Sequence, residues 1–228
     1  MNSLADLIRA ITVYALPVLF AITAHEAAHG FVAKKLGDNT AAMLGRVTLN
    51  PIKHIDPIGT ILIPLALVLL SLLTPGSGFF LFGYAKPVPV RVDRLKNPRR
   101  DMMWVALAGP VCNLAQALIW GAVFSLLVGL GVHEAFFVDM CRGGVLVNLV
   151  MFAFNLFPLP PLDGGRVLAG LLPHRQAVAL GRIEPYGFYA VMMLVISGAI
   201  VPIWMGPLIA VGLAAINLVL YPLRALFA

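Results

Sequence analysis

Charge is what this chain has least of. Only 11% of its 228 residues are Asp, Glu, Lys or Arg, less than half of the roughly 25% typical of soluble domains. With 61% hydrophobic residues, polar surface is too scarce to cover a water-soluble globule, which excludes a soluble enzyme or a nucleic-acid-binding domain. Cysteine is almost missing as well. Cys112 and Cys141 lie far apart and in no metal spacing, which excludes a disulfide framework and a thiolate metal site. The opening stretch MNSLADLIRAITVYALPVLF lacks the basic start and small-residue cleavage site of a signal peptide, so a retained helix is expected there. There is no internal repeat and no low-complexity segment.

What the chain does have is long apolar runs, several of them near the roughly 20 residues needed to cross a hydrocarbon core as helix. The expected fold class is an all-α polytopic membrane protein, one membrane-embedded domain over 1–228. About six transmembrane helices are expected, at about 5–35, 58–74, 102–130, 141–157, 186–201 and 206–226, the last two forming a C-terminal pair. The stretch FFLFGYAKPVPV is apolar but rich in Gly, Pro and β-branched residues, which predicts a short membrane-associated β-hairpin or extended segment.

The net charge of +6 reads as a topology signal. The loop holding Arg91, Arg94, Lys96, Arg99 and Arg100, the loop holding Lys34, Lys35, Arg46 and Lys53, and the segment 158–184 with Arg166, Arg175 and Arg182 are all expected in the cytoplasm. The apolar segment between the first two must then dip back through the membrane shielded by protein, because unpaired backbone cannot face lipid. The N-terminus is expected outside and the C-terminus, with Arg224, inside. On this reading the ends of the first and fourth helices share one membrane face.

Inside the first helix sits His25-Glu26-Ala27-Ala28-His29. Residues four apart share a helix face, so both imidazoles can reach one ion. Two histidine nitrogens and one carboxylate suit Zn²⁺ and leave a fourth position for water. Glu26, on the flank of that face, can take a proton from such a water and deliver it to a leaving amine. Ionisable groups at membrane depth point to function. The candidate third ligand is Asp163 in NLFPLPPLDGG, following the fourth helix at the same face. Asp163 could instead be an N-cap for the next helix, and His54 is the rival ligand or a neighbour of the ligands.

HEAAH, NLFPLPPLDGG and AGPVCN at 108–113, with GRVTLNPIKHIDPIGT and FGYAKPVPV, together resemble the site-2 protease family of intramembrane zinc metalloproteases, in its compact bacterial form. The resemblance runs from about 14 to 170, and implies a peptidase core over about 5–172. It implies one Zn²⁺ per chain held by His25, His29 and Asp163, with Glu26 activating water. It further implies that Asn113 positions substrate or stabilises the oxyanion, and that Gly83, Tyr84, Ala85, Lys86, Pro87 and Val88 pair with an unwound substrate as an added strand. Read from its residue type alone, Asn113 could equally hold helices together by hydrogen bonds, as Gln116, Asn148 and Asn155 are expected to do. No loop is long enough for a PDZ or nucleotide-binding insertion.

The implied activity is hydrolysis of peptide bonds in or next to transmembrane segments of membrane-protein substrates. The expected setting is the bacterial inner membrane, with the site toward the cytoplasm and no nucleic-acid partner; the sequence does not speak to oligomeric state. The competing readings are a divalent-metal transporter and a catalytically inactive membrane scaffold.

Overall fold

The computed structural model describes residues 4–62, 66 and 86–227. Helix α1 (Leu4–Lys35) carries the histidine motif, and Lys34 and Lys35 in its last turn complement the helix dipole. After a short α2 (Thr40–Met43) come a 3₁₀ turn at Pro51–Lys53 and a π-helical turn at Pro57–Leu62. The rest of the helix expected over 58–74 lies outside the described residues, apart from Ala66. Residues 86–90 run without regular structure into a 3₁₀ turn at Val92–Arg94. Among the described residues there is no β-strand, and the remainder of the expected hairpin lies outside them.

Helix α3 (Pro98–Gly129) starts with Pro98 and Arg99 and crosses the molecule antiparallel to α1. Helix α4 (Ala135–Asn155) returns beside both. The short α5 (Asp163–Leu171) and α6 (His174–Gly181) follow, then α7 (Glu184–Ile196), a π-helical turn at Val201–Met205, and α8 (Gly206–Ala225). Five segments of the described residues are long and apolar enough to cross a membrane, and the chain is a multi-pass membrane protein. Between α3, α4 and α8 the core is Ala117, Leu149, Ile216 and Leu220. Small residues let these helices approach closely, which is how helices associate where lipid is as apolar as leucine. The buried polar groups Thr23, His25, His29, Asn113 and Asn148 point inward, while Ile11, Phe20, Trp104, Ile119, Val211 and Leu218 are exposed on the outside of the bundle.

One topological expectation is corrected. The sequence places the segment from α7 to the π-helical turn as a full crossing, which would return the C-terminus to the site face. Instead its two ends meet the same end of the bundle: Gly187 lies against the Pro160 carbonyl, and the Trp204 indole donates to Ala153 O at 2.9 Å. The 13 residues of α7 span only about 20 Å at 1.5 Å per residue, and Gly198, at φ +71°, turns the chain back. Helix α8 then makes the crossing, and Arg224 donates to Ser125 Oγ near the far end of α3. The C-terminus therefore lies at the face opposite His29, on the side where Arg9 of α1 pairs with Asp139 of α4.

Candidate metal centre

The i, i+4 spacing of α1 turns both imidazoles toward α3, where Gly109 leaves room for them. A Cβ at Gly109 would lie 2.5 Å from His25 Cε1 and 2.5 Å from His29 Nε2, so this turn of α3 is a cradle that only a glycine leaves open. Each ring is then pinned from behind. His29 Nδ1 donates to Val105 O at 2.7 Å, a carbonyl of α3. His25 Nδ1 lies 2.6 Å from Asn113 Oδ1. The Asn113 amide orientation follows from its other contacts, since Nδ2 donates to Ala21 O at 3.2 Å and to Asn148 Oδ1 at 2.9 Å. Asn148 Nδ2 in turn donates to Gly144 O. With both Nδ1 atoms donating, neutral rings present bare Nε2 lone pairs to each other, 3.0 Å apart.

The third atom comes from α5. Gly164 and Gly165 allow the start of this helix to press against the Pro-rich turn, where a Cβ at Gly164 would run into the Leu156 carbonyl. That packing brings Asp163 Oδ2 to 3.2 Å from His25 Nε2 and 3.3 Å from His29 Nε2. Asp163 is the first residue of the helix and makes no cap; the cap position is Leu162. The Asp163 carboxylate oxygen faces two imidazole nitrogens, all within 4.8 Å of one another, and Oδ2 is buried without a hydrogen-bond donor. A proton can bridge one pair at a time. A divalent cation satisfies all three atoms together, and two nitrogens with one oxygen are a donor set that suits zinc.

Beside these atoms is a cavity of about 190 Å³ whose walls include Glu26, Pro87, Val88, Asn155 and Arg166. Glu26 Oε2 accepts from Val88 N–H at 2.7 Å, so the carboxylate is held at the cavity wall beside the triad.

A Bacillus subtilis protein named "Putative zinc metalloprotease YwhC" is 40% identical over 185 residues, which cover 79% of this chain and 78% of that protein. The chain belongs to this zinc metalloprotease family. Two mycobacterial proteins named "Putative zinc metalloprotease Rip2" are also similar. The one from Mycolicibacterium smegmatis is 29% identical over 80% of this chain and 66% of its own length. The one from Mycobacterium tuberculosis is 30% identical over 78% of this chain and 63% of its own. No family model matches the chain, and no solved structure gives a significant match.

Within this family member, then, the structure brings His25, His29, Asp163 and Glu26 to one cavity. Asn113 does not reach it. That side chain is fully buried with both amide protons spent, which leaves no donor for an oxyanion; its oxygen steers His25 instead. His54, the rival ligand, is outside the triad. It is buried, its Nε2 donates to Thr48 O at 3.0 Å, and its carbonyl accepts from Lys86 N–H at 2.9 Å. Of the expected substrate strand, Pro87 and Val88 line the cavity and Lys86 is exposed beside it; Gly83, Tyr84 and Ala85 lie outside the described residues.

Two cavity residues have other roles on sequence alone, where Asn155 reads as a helix-bonding amide and Arg166 as a topology charge. Arg166 stands three residues after Asp163 on one helix, a spacing that places both on one face and could have flagged it. Asn155 ends α4 just before the prolines, and no sequence pattern separates it from Asn148. Asp38 anchors the far end of the same wall. Burial pushes its carboxyl up, but the Thr40 hydroxyl, the N–H groups of Arg91 and Thr40, and the Arg94 charge outweigh that and hold it below its ordinary value.

Proposed function

We propose that the protein is a site-2-type intramembrane zinc endopeptidase that cleaves membrane-protein substrates within or beside a transmembrane segment. The observation that carries this reading is the convergence of His25 Nε2, His29 Nε2 and Asp163 Oδ2 next to a carboxylate, Glu26, that takes no part in the triad. A single zinc held by these three atoms would supply Lewis acidity to a scissile carbonyl and lower the pKa of an attacking water. Glu26 accepts the proton of that water and later delivers it to the departing amine. The Asn113–Asn148 relay holds His25 in the tautomer whose Nε2 lone pair faces the metal position. Residues 86–90 line the path by which an unwound substrate segment reaches Glu26, and lose less entropy than a free loop would because prolines stiffen them. The site opens toward the face carrying Lys34, Lys35 and Arg91–Arg100, which the positive-inside rule assigns to the cytoplasm of a bacterial plasma membrane.

The test is co-expression with tagged single-span membrane proteins, comparing wild type with Glu26→Gln. A shortened product with wild type, lost by a factor of roughly 10²–10⁴ with the variant while zinc is retained, supports the reading. Cleavage by Glu26→Gln at the wild-type rate would overturn it. Metal flux through reconstituted vesicles that Glu26→Gln leaves unchanged, without any cleavage, would favour a divalent-metal transporter instead.

A further inference from the structure

Residues 86–90 read Lys-Pro-Val-Pro-Val, and Pro87 and Pro89 have no N–H. The segment cannot hold itself by a ladder of its own, so its position must come from outside contacts. Lys86 N–H donates to His54 O at 2.9 Å. Val88 N–H donates to Glu26 Oε2 at 2.7 Å, and Arg91 N–H to Asp38 Oδ2 at 2.6 Å. A side chain adds hydrogen bonds to the segment's carbonyls: Nη2 of the Arg46 guanidinium donates to Lys86 O at 2.6 Å and reaches Pro87 O at 3.4 Å.

Arg46 is an unusual residue to find there. It is 7% exposed, its Nε is buried without a partner, and among the described residues no carboxylate pairs with it. Burying a cation without a counter-charge is costly, and a residue serving only packing would not carry that cost. Its contacts converge on the two carbonyls that immediately precede the N–H holding Glu26. The loop bearing Arg46 and the segment bearing Val88 also rest on the same turn of α1. A Cβ at Gly30 would meet Val47 Cγ2 at 2.9 Å and Val88 Cγ1 at 3.1 Å, one residue beyond His29.

We infer that Arg46 is a positioning residue for the peptidase reaction: it latches the carbonyls of Lys86 and Pro87 so that Val88 N–H holds Glu26 Oε2 and leaves Oε1 for the proton. This rests on the proposed peptidase reading, and it goes beyond that reading in assigning Arg46 a task. Arg46 touches no reacting atom and acts only through the segment. Losing it would let the segment drift, and Glu26 would lose the donor that fixes its angle.

The experiment measures two quantities on zinc-loaded protein in detergent, for wild type, Arg46→Gln and Arg46→Lys. The first is amide exchange over 86–91, which reports Lys86, Val88, Val90 and Arg91. The second is kcat and KM, measured separately, for cleavage of a tagged single-span substrate. Arg46→Gln should keep its zinc, exchange these amides at least about 10-fold faster, and lose roughly 10- to 100-fold in kcat with little change in KM, the scale of one charge-assisted hydrogen bond. Arg46→Lys keeps the charge and loses the fork, and should fall between, which preserves the test if the glutamine variant does not fold. Unchanged exchange in both variants overturns the latch. Faster exchange with unaltered kcat, or a rise in KM alone, overturns the link to Glu26. Failure of wild type to cleave any substrate would overturn the peptidase reading instead, and the exchange data would still decide the latch.

Discussion

Gly109→Ala adds one methyl group to the site, and the structure gives its consequence. The new Cβ would sit 2.5 Å from His25 Cε1, 2.5 Å from His29 Nε2 and 2.6 Å from His29 Cε1, where ordinary contact begins at 3.4 Å. The rings must therefore retreat by about 1 Å, and they are not free to do so. His25 is tied to Asn113 at 2.6 Å and His29 to Val105 O at 2.7 Å. A metal site tolerates about 0.2 Å in its ligand distances, so the displacement is several times the tolerance. Zinc affinity should drop by at least 10- to 100-fold, the range seen when residues supporting metal ligands are changed. Helix stability pulls the other way, because alanine is better than glycine in a helix interior by about 1 kcal/mol. The expected signature is a protein that folds and spans the membrane but releases zinc to a chelator. Competition with a zinc-sensitive dye measures it. Gly121→Ala is the control on the same helix, since its Cβ would meet the flexible ends of Leu220 at 3.0 Å and Ile216 at 3.1 Å. Wild-type zinc affinity in Gly109→Ala would refute the cradle.

Asp163→Ala should lose zinc as measured by metal analysis of purified protein, because it removes the one anionic atom of the triad; full occupancy in that variant would place the third ligand elsewhere. A reporter fused after Arg224 should appear on the face opposite one inserted within 91–100, and on the same face as one within 131–139; matching signals from 91–100 and the C-terminus would contradict the placement of α8. The Asp38 carboxyl lies below its ordinary value of 3.8 in the folded protein, so its contribution is fully present above that pH and is lost as pH falls through the lower, folded value. Asp38→Asn should therefore destabilise by about 1–3 kcal/mol near neutral pH, and the gap in thermal unfolding between the two proteins should begin to close below about pH 4, where the carboxylate of the unfolded chain protonates ahead of the folded one. A gap that stays constant down to about pH 3 would argue against the ionised carboxylate as the anchor of Arg91.

Local features of this protein are open to the sequence for a simple reason: they depend on spacing along one element. The apolar runs of α1, α3, α4 and α8 follow from bilayer thickness, and the pairing of His25 with His29 follows from the pitch of a helix. Glu26, one residue after His25, falls on the flank of that face without any knowledge of the fold. What tertiary structure decides is everything that joins distant stretches. Asp163 becomes a partner of the histidines only because Gly164 and Gly165 let α5 press on the Pro-rich turn. Asn113 has the residue type of a donor for the reaction, yet its two protons are consumed by Ala21 and Asn148, a fact carried by the crossing of α1, α3 and α4. The apolar stretch after Glu184 has the composition of a span, but Gly198 and the anchoring of Gly187 and Trp204 at one end turn it back, and so the face of the C-terminus changes. Arg46 and Lys86 are forty residues apart and carry no periodic signal. Composition and periodicity report what a segment can do alone; which hydrogen-bond donors are left over, and where they point, is determined only when the helices meet.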